Sequence, residues 1–293
     1  MEGSTGKAYR EDFISAQDGL RLYFRDYGPK YGGATPVLCL AGLTRNSRDF
    51  QSVANRIATE RRVICLDYRG RGRSEYDQDW RNYTPETYIQ DIRHLLAGLG
   101  LGRVFVIGTS MGGLLAMGLG IAMPGALAGV VINDVGPDID DDGLANIIKF
   151  LSTGAQGFAS WEAAIGSLRS FFPNLPANDD EMWMKIARGT FREADDGTVI
   201  HDWDSALLKP LAAGSPPTNL WSMFRSLRRL PLVVVLGALS DILSAETLTA
   251  MAEAIPTLRA VTVPGVGHAP TLSETEVEEA IDDALATADR TQH

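Results

Sequence analysis

Ser110 stands in Gly108-Thr109-Ser110-Met111-Gly112, directly after the apolar run at 104–107. A hydroxyl boxed by glycines, between a predicted buried strand and a predicted helix, fits G-x-S-x-G in the context that gives the motif its meaning. A sharp strand-to-helix turn strains the serine backbone and lifts its hydroxyl above the strand's carboxyl end. Side chains at the flanking positions would collide with neighbouring strands or with the helix, hence the glycines. The helix start below also favours negative charge that develops there. Such a serine is placed to attack.

A nucleophilic serine needs a base and a group that orients the base. The chain has four histidines. His293 is the final residue, His94 lies in a predicted helix beside Arg93, and His201 lies near acidic residues. His268 sits in a Gly/Pro-rich loop directly after a predicted strand, the place for a base at the carboxyl edge of a sheet, and is the candidate base. Two carboxylates compete to orient it. Asp241 follows the apolar run 232–236 and gives the chain order Ser, Asp, His; Asp134 ends the preceding strand. Asp241 is favoured because an acid on the later strand is the commoner order. Asp134 is then structural or substrate-facing.

An oxyanion formed by the attack needs backbone N–H donors. Met111, the residue after the serine, supplies one, and Leu43, in the loop Ala41-Gly42-Leu43 after the run 37–40, supplies the other, with Gly42 permitting the turn. Arg45 and Arg48 follow at once and are candidates to meet a substrate carboxylate, against the plainer reading that they are surface arginines.

These residues need a scaffold. The apolar runs at 37–40, 63–66, 104–107, 130–132, 232–236 and 261–263 lack alternation, as strands buried on both faces do. Residues 10–27 predict two further short strands around Asp18-Gly19, the second alternating Leu20, Leu22, Phe24 with Arg21, Tyr23, Arg25. Helical spacing appears at 48–59, at 84–99 behind Thr84-Pro85-Glu86, and at 111–122. The β-α alternation predicts a mostly parallel, eight-stranded sheet flanked by helices. It breaks after Pro137: residues 138–216 carry helical stretches and no convincing buried strand, and the rhythm resumes at Leu232. The expected division is a core of 1–137 and 217–293, with a helical cap of 138–216 inserted after the sixth strand. Trp161, Phe171 and Trp183 of the cap are candidates to wall an apolar pocket, although most of its aromatics are expected to form the cap's own core.

The 293 residues are 45% hydrophobic and carry a formal net charge of −10, which disfavours a nucleic-acid partner. No apolar run approaches membrane-spanning length, and the first residues lack the apolar stretch of a secretory leader, so a cytoplasmic, membrane-free protein is expected. Cys39 and Cys65 lie inside apolar runs and read as buried strand thiols, without metal-type spacing.

Together these pieces resemble the α/β-hydrolase superfamily across nearly the whole chain. GTSMGG is similar to its nucleophile elbow, Ala41-Gly42-Leu43 stands where a His-Gly oxyanion motif is common, and Asp67–Ser74 (D-Y-R-G-R-G-R-S) resembles its D-x-R-G-x-G-x-S turn. Ser240-Asp241 and Gly267-His268 look like its acid and base. The resemblance implies the α/β-hydrolase fold and a serine hydrolase for a small ester or lactone, with no metal or organic cofactor. Cleavage of a C–C or amide bond in a catabolic intermediate uses the same residues, and a non-catalytic ligand receptor is the reading from another class. The intact nucleophile, base and acid argue against the receptor.

Overall fold

The six apolar runs become the parallel part of one eight-stranded sheet in a computed structural model that describes residues 8–153, 157–213 and 219–291. Its strands are β1 (Tyr9–Ser15), β2 (Arg21–Tyr27), β3 (Val37–Leu40), β4 (Val63–Leu66), β5 (Val104–Thr109), β6 (Leu127–Asn133), β9 (Leu232–Gly237) and β10 (Arg259–Val263), in the order β1-β2-β4-β3-β5-β6-β9-β10. The β1–β2 and β2–β4 pairs are antiparallel and all others parallel. Strands β3, β4 and β6 are buried at every position, as their unbroken apolar runs require. The run at 261–263 differs: β10 is an edge strand, and Ala260 and Thr262 are exposed while Val261 and Val263 are buried. Cys39 and Cys65 are register partners on β3 and β4, both buried and both free thiols.

Helices α1 (Gln51–Ile57), α2 (Pro85–Gly98), α3 (Met111–Ala122), α9 (Ala245–Ala254) and α10 (Thr275–Arg290) connect or follow the strands. The Thr84-Pro85 start of α2 forms as its sequence predicts, with the Thr84 hydroxyl accepting from the Thr87 N–H and proline in the first turn. Helix α3 packs on β3, β5 and β6 and on α2, while α10 packs on β6, β9 and β10. Among the described residues no helix is long and apolar enough to cross a membrane.

Between β6 and β9 the chain forms α4 (Asp141–Leu151), α5 (Trp161–Phe171), α6 (Asp180–Thr190), α7 (Leu208–Ala213) and α8 (Leu220–Ser226). It also forms an antiparallel ribbon of β7 (Phe191–Glu193) and β8 (Val199–His201). The ribbon adds two short, only partly buried strands to an insertion expected to be helical. Its strands are three residues long, too short to show a period. The turn between them, Asp195-Asp196-Gly197-Thr198, holds Gly197 at φ 82° and carries the Asp-Gly signal of a hairpin. Phe150 is the centre of this region's own aromatic cluster, with Phe171, Phe172, Phe191 and Trp203 rings at 5.0–6.5 Å. Helix α8 packs on α3. The boundary expected at 216/217 lies outside the described residues.

In-register pairing sets the site. Leu40 is opposite Gly108, Thr109 opposite Asn133, and Asn133 opposite Val235, so β3, β5, β6 and β9 deliver their carboxyl ends to one edge. A parallel sheet presents its loops for chemistry there.

Candidate active site

Ser110 lies between β5 and α3 with φ 53° and ψ −119°, outside the conformations an L-residue adopts freely. Packing holds it there. Its N–H donates to the Asn133 carbonyl at 2.9 Å, and its own carbonyl accepts from Gly113 and Leu114. A side chain at Gly108 would run into the Gly112 carbonyl, and one at Gly112 into the Leu40 carbonyl, so both glycines of the motif are steric requirements. Gly42 is not. Its φ lies outside the left-handed region, and an added Cβ would lie 3.4 Å from Arg45 Cγ and 3.7 Å from Ser110 Cβ, ordinary contacts, so neither the turn nor the packing requires glycine there.

The Ser110 hydroxyl makes no cap bond to α3 and instead lies 2.9 Å from His268 Nε2. The other ring nitrogen, Nδ1, lies 2.8 Å from Asp134 Oδ2. Asp134, not Asp241, is therefore the imidazole's carboxylate partner, and the favoured assignment is corrected. Both β6 and β9 lie between β5 and β10, so either strand end reaches the space between Ser110 and the His268 loop, and it is the side-chain hydrogen bond that singles out Asp134. Asp241 is exposed, in the turn after β9 that supplies Ser240 to the site. Asp134 is fully buried and the His268 side chain 12% exposed.

The carboxylate is fully engaged. Asp134 Oδ1 accepts the Gly237 N–H at 2.7 Å, and Oδ2 accepts both the Ser240 hydroxyl at 2.7 Å and the imidazole. Its backbone has φ 59°, and its N–H donates to the Val235 carbonyl at 2.8 Å. The preceding Asn133 fastens the His268 loop to β5: its Nδ2 donates to Pro270 O at 3.0 Å and to Thr109 Oγ1 at 3.1 Å. Sequence reading missed Ser240 and Asn133 as members of the site. Their signal was adjacency alone, since each precedes a carboxylate already in question.

Met111 directly follows the serine, Leu43 follows Gly42, which lies against it, and among the described residues no backbone acceptor pairs with the N–H of Leu43 or Met111. Arg45 does not offer a free charge. It forms a two-bonded pair with Asp49 at 2.6 and 2.7 Å and also bonds the Thr190 hydroxyl and the Ile186 carbonyl of α6. Arg48 pairs with Asp202. Both arginines thus tie the inserted region to the sheet rather than facing the serine unpaired.

The three aromatic candidates all meet neighbours within the inserted region, and Trp183 with Arg169 also lines an open depression there. Trp161 lies under Arg188 and near Glu193, Trp183 under Arg169, and Phe171 against Phe150. The inserted region does reach the base loop at another residue: the Gly267 N–H, beside His268, donates to the Asn174 carbonyl at 2.7 Å. The Asp67–Ser74 turn is structural. Asp67 Oδ1 and Oδ2 accept the Ser47 and Arg73 N–H groups at 2.7 and 2.9 Å, and Ser74 Oγ donates back to the Asp67 carbonyl.

A model of the alpha/beta hydrolase family matches residues 37–280. The chain belongs to that family. A 3-hydroxybutyrate-oligomer hydrolase of Cupriavidus necator is 33% identical over 263 residues, which cover 86% of this chain and 88% of that protein. A 2-(acetamidomethylene)succinate hydrolase of Mesorhizobium japonicum is 27% identical over 237 residues, 81% of this chain and 82% of that one. The crystal structure of an alpha/beta hydrolase from Novosphingobium aromaticivorans matches with a TM-score of 0.90 at 39% identity, covering 96% of this chain and 99% of that one. The chain is an alpha/beta hydrolase in fold and family, and the two curated relatives above are both named as hydrolases.

Proposed function

We propose that this alpha/beta hydrolase is a serine hydrolase that cleaves a small carboxylic ester or lactone through an acyl-enzyme. One observation carries the reading: a continuous hydrogen-bonded relay from Ser110 Oγ through His268 to buried Asp134, at 2.9 and 2.8 Å. With its hydrogen on Nδ1, the imidazole donates to Asp134 and leaves Nε2 to accept the serine proton.

In the first half-reaction Ser110 Oγ attacks the ester carbonyl while His268 Nε2 takes its proton. The Leu43 and Met111 N–H groups, without a backbone acceptor among the described residues, receive the oxyanion. The tetrahedral intermediate collapses, the C–O bond to the leaving group breaks, and His268 returns the proton to the departing alkoxide. In the second half-reaction His268 takes a proton from water, the resulting hydroxide attacks the acyl carbonyl, and Ser110 leaves with the proton back on its oxygen. Asp134 orients the imidazole and holds it in place through both half-reactions.

The same proposal treats residues 138–216 as a cap over a core of 1–137 and 217–293. The ties of Arg45, Arg48 and Gly267 to α6, Asp202 and Asn174 support it, because they join the inserted region to loops on either side of the serine. The relative named for 3-hydroxybutyrate oligomers favours an ester of a short hydroxy acid as the substrate.

A panel of p-nitrophenyl esters from acetate to decanoate tests the reading, with Ser110→Ala as the control. Serine-dependent turnover that peaks at short acyl chains is the expected result. A panel that is not hydrolysed, by a protein whose Ser110 is still labelled by a fluorophosphonate, would replace the ester with an amide or C–C substrate. The relative named for 2-(acetamidomethylene)succinate makes that alternative specific.

A further inference from the structure

Two arginines of the Asp67–Ser74 turn are completely buried, and they are treated differently. Arg69 is surrounded by carboxylates: Asp91 at 2.6 Å, Asp77 at 2.5 Å and Asp18 at 2.8 Å. Arg71 has none within ion-pairing distance among the described residues. Its guanidinium meets only neutral groups. Nε donates to the Leu43 carbonyl at 2.6 Å, and Nη1 donates to the Arg69 carbonyl at 3.0 Å and the Tyr88 hydroxyl at 3.1 Å. Nη2 lies 3.8 Å from Met111 Sδ. The guanidinium carbon also lies 4.9 Å from the centre of the Tyr88 ring and 5.5 Å from that of Tyr68.

A buried cation without a counter-ion costs folding free energy, so its persistence calls for a reason. Its two site-facing contacts supply one. The single guanidinium touches Leu43 and Met111, the residues whose N–H groups the proposed mechanism gives to the oxyanion. It is itself fixed from behind, because the Arg71 backbone bridges Trp203 of the inserted region and its N–H donates to the Tyr68 carbonyl at 3.1 Å.

We propose that Arg71 is a positioning residue for the oxyanion hole. Its fork pins Leu43 through that residue's carbonyl and braces Met111, and its unneutralised charge favours the oxyanion from beneath. The proposal rests on the serine-hydrolase reading. Charge that develops in a water-poor site is stabilised most by groups already aimed at it, and the rigid planar fork of arginine holds two contacts in a way a lysine ammonium does not.

The test is the rate at which a fluorophosphonate probe modifies Ser110, which needs no knowledge of the natural substrate. Phosphonylation forms the Ser110 Oγ–P bond, expels fluoride, passes the serine proton to His268 and loads negative charge on the phosphoryl oxygen in the same hole. Wild type, Arg71→Met and Arg71→Lys are compared for the first-order rate kinact, the half-saturating concentration KI, and the melting temperature. Losing the alignment of one oxyanion donor is worth up to about 10²-fold in rate. The expected result is therefore a kinact roughly 10- to 100-fold lower in Arg71→Met, a smaller loss in Arg71→Lys, and a KI within about threefold of wild type in both.

Arg71→Met that folds and reacts at the wild-type rate overturns the proposal. So does a loss in which KI weakens as much as kinact falls, since general loosening of the site does that. Should Arg71→Met not fold, Arg71→Lys carries the test, and a wild-type kinact there overturns the positioning role. A wild-type protein that the probe does not label at Ser110 overturns the serine-nucleophile reading itself, and this inference with it. Labelled wild type with unaffected Arg71 variants removes this inference alone.

Discussion

Ser240 and Asp134 are joined by a 2.7 Å hydrogen bond from the serine hydroxyl to carboxylate Oδ2, the same oxygen that faces His268. The Ser240 oxygen in turn accepts the N–H groups of Ile242 and Leu243 at 3.1 and 3.3 Å, so its proton has one direction left to point. The loop after β9 thus contributes a hydroxyl to the relay, while the carboxylate comes from the end of β6.

Removing that hydroxyl should weaken the relay without unfolding it. A hydrogen bond to a charged group is worth about 1.5 kcal/mol or more, so Ser240→Ala is expected to lower kcat/KM by about tenfold. Steady-state kinetics on an ester substrate, with circular dichroism as the folding control, checks this. Unchanged kcat/KM would show that Gly237 and His268 alone suffice to hold the carboxylate.

The corrected acid gives a sharper contrast. Asp134→Asn keeps the shape but offers the imidazole the wrong partner, and a fall in kcat of about 10⁴ is expected. Asp241→Asn, at an exposed residue, should leave kcat within about twofold, as surface changes usually do. The reverse pattern would restore Asp241 and contradict the relay described here.

Steric exclusion at the elbow makes a stability prediction. A methyl group at Gly112 meets the Leu40 carbonyl, which belongs to the central sheet and cannot yield easily. Gly112→Ala is expected to cost about 3 kcal/mol and to displace the serine. Thermal melting together with fluorophosphonate labelling reads both effects. A variant as stable and reactive as wild type would mean that the turn has slack.

His201 should make stability sensitive to acid. Its ring stacks on Trp203 at 4.0 Å and on Phe191 at 5.4 Å, and burial lowers its pKa from 6.5 to about 4. Between those values the unfolded chain binds a proton that the folded chain refuses, so this residue makes stability rise with pH from about 4 to 6.5. Its penalty therefore grows as pH falls through that window. His201→Phe should flatten the dependence there, as followed by urea midpoints across the range. Parallel curves for the two proteins would sink the assignment.

Ser110 and His268 were legible because each depends on local chemistry: glycines that must be glycines, and a loop that must follow a strand. The strands were legible because burial on both faces leaves continuous apolar runs. The carboxylate partner was not, since Asp134 and Asp241 both follow strands that lie between β5 and β10, and only side-chain geometry shows which one meets the imidazole. Arg45 shows the same limit from another side. Its proximity to the Ala41-Gly42-Leu43 loop was visible in the chain, whereas its neutralisation by Asp49 and its bond to Thr190 depend on side-chain geometry and on a segment far along the chain. Trp161, Phe171 and Trp183 carried composition but no direction, and direction decides between pocket wall and local core.

The central claim is that Ser110 becomes covalently acylated during turnover. Rapid acid quench of the enzyme with a short p-nitrophenyl ester, followed by intact mass measurement and peptide mapping, tests it directly. The expected result is one acyl group on the peptide that contains Ser110, formed in a burst equal to the enzyme concentration and absent from Ser110→Ala. Turnover that persists in Ser110→Ala, or an acyl group that maps to another residue, would contradict the account.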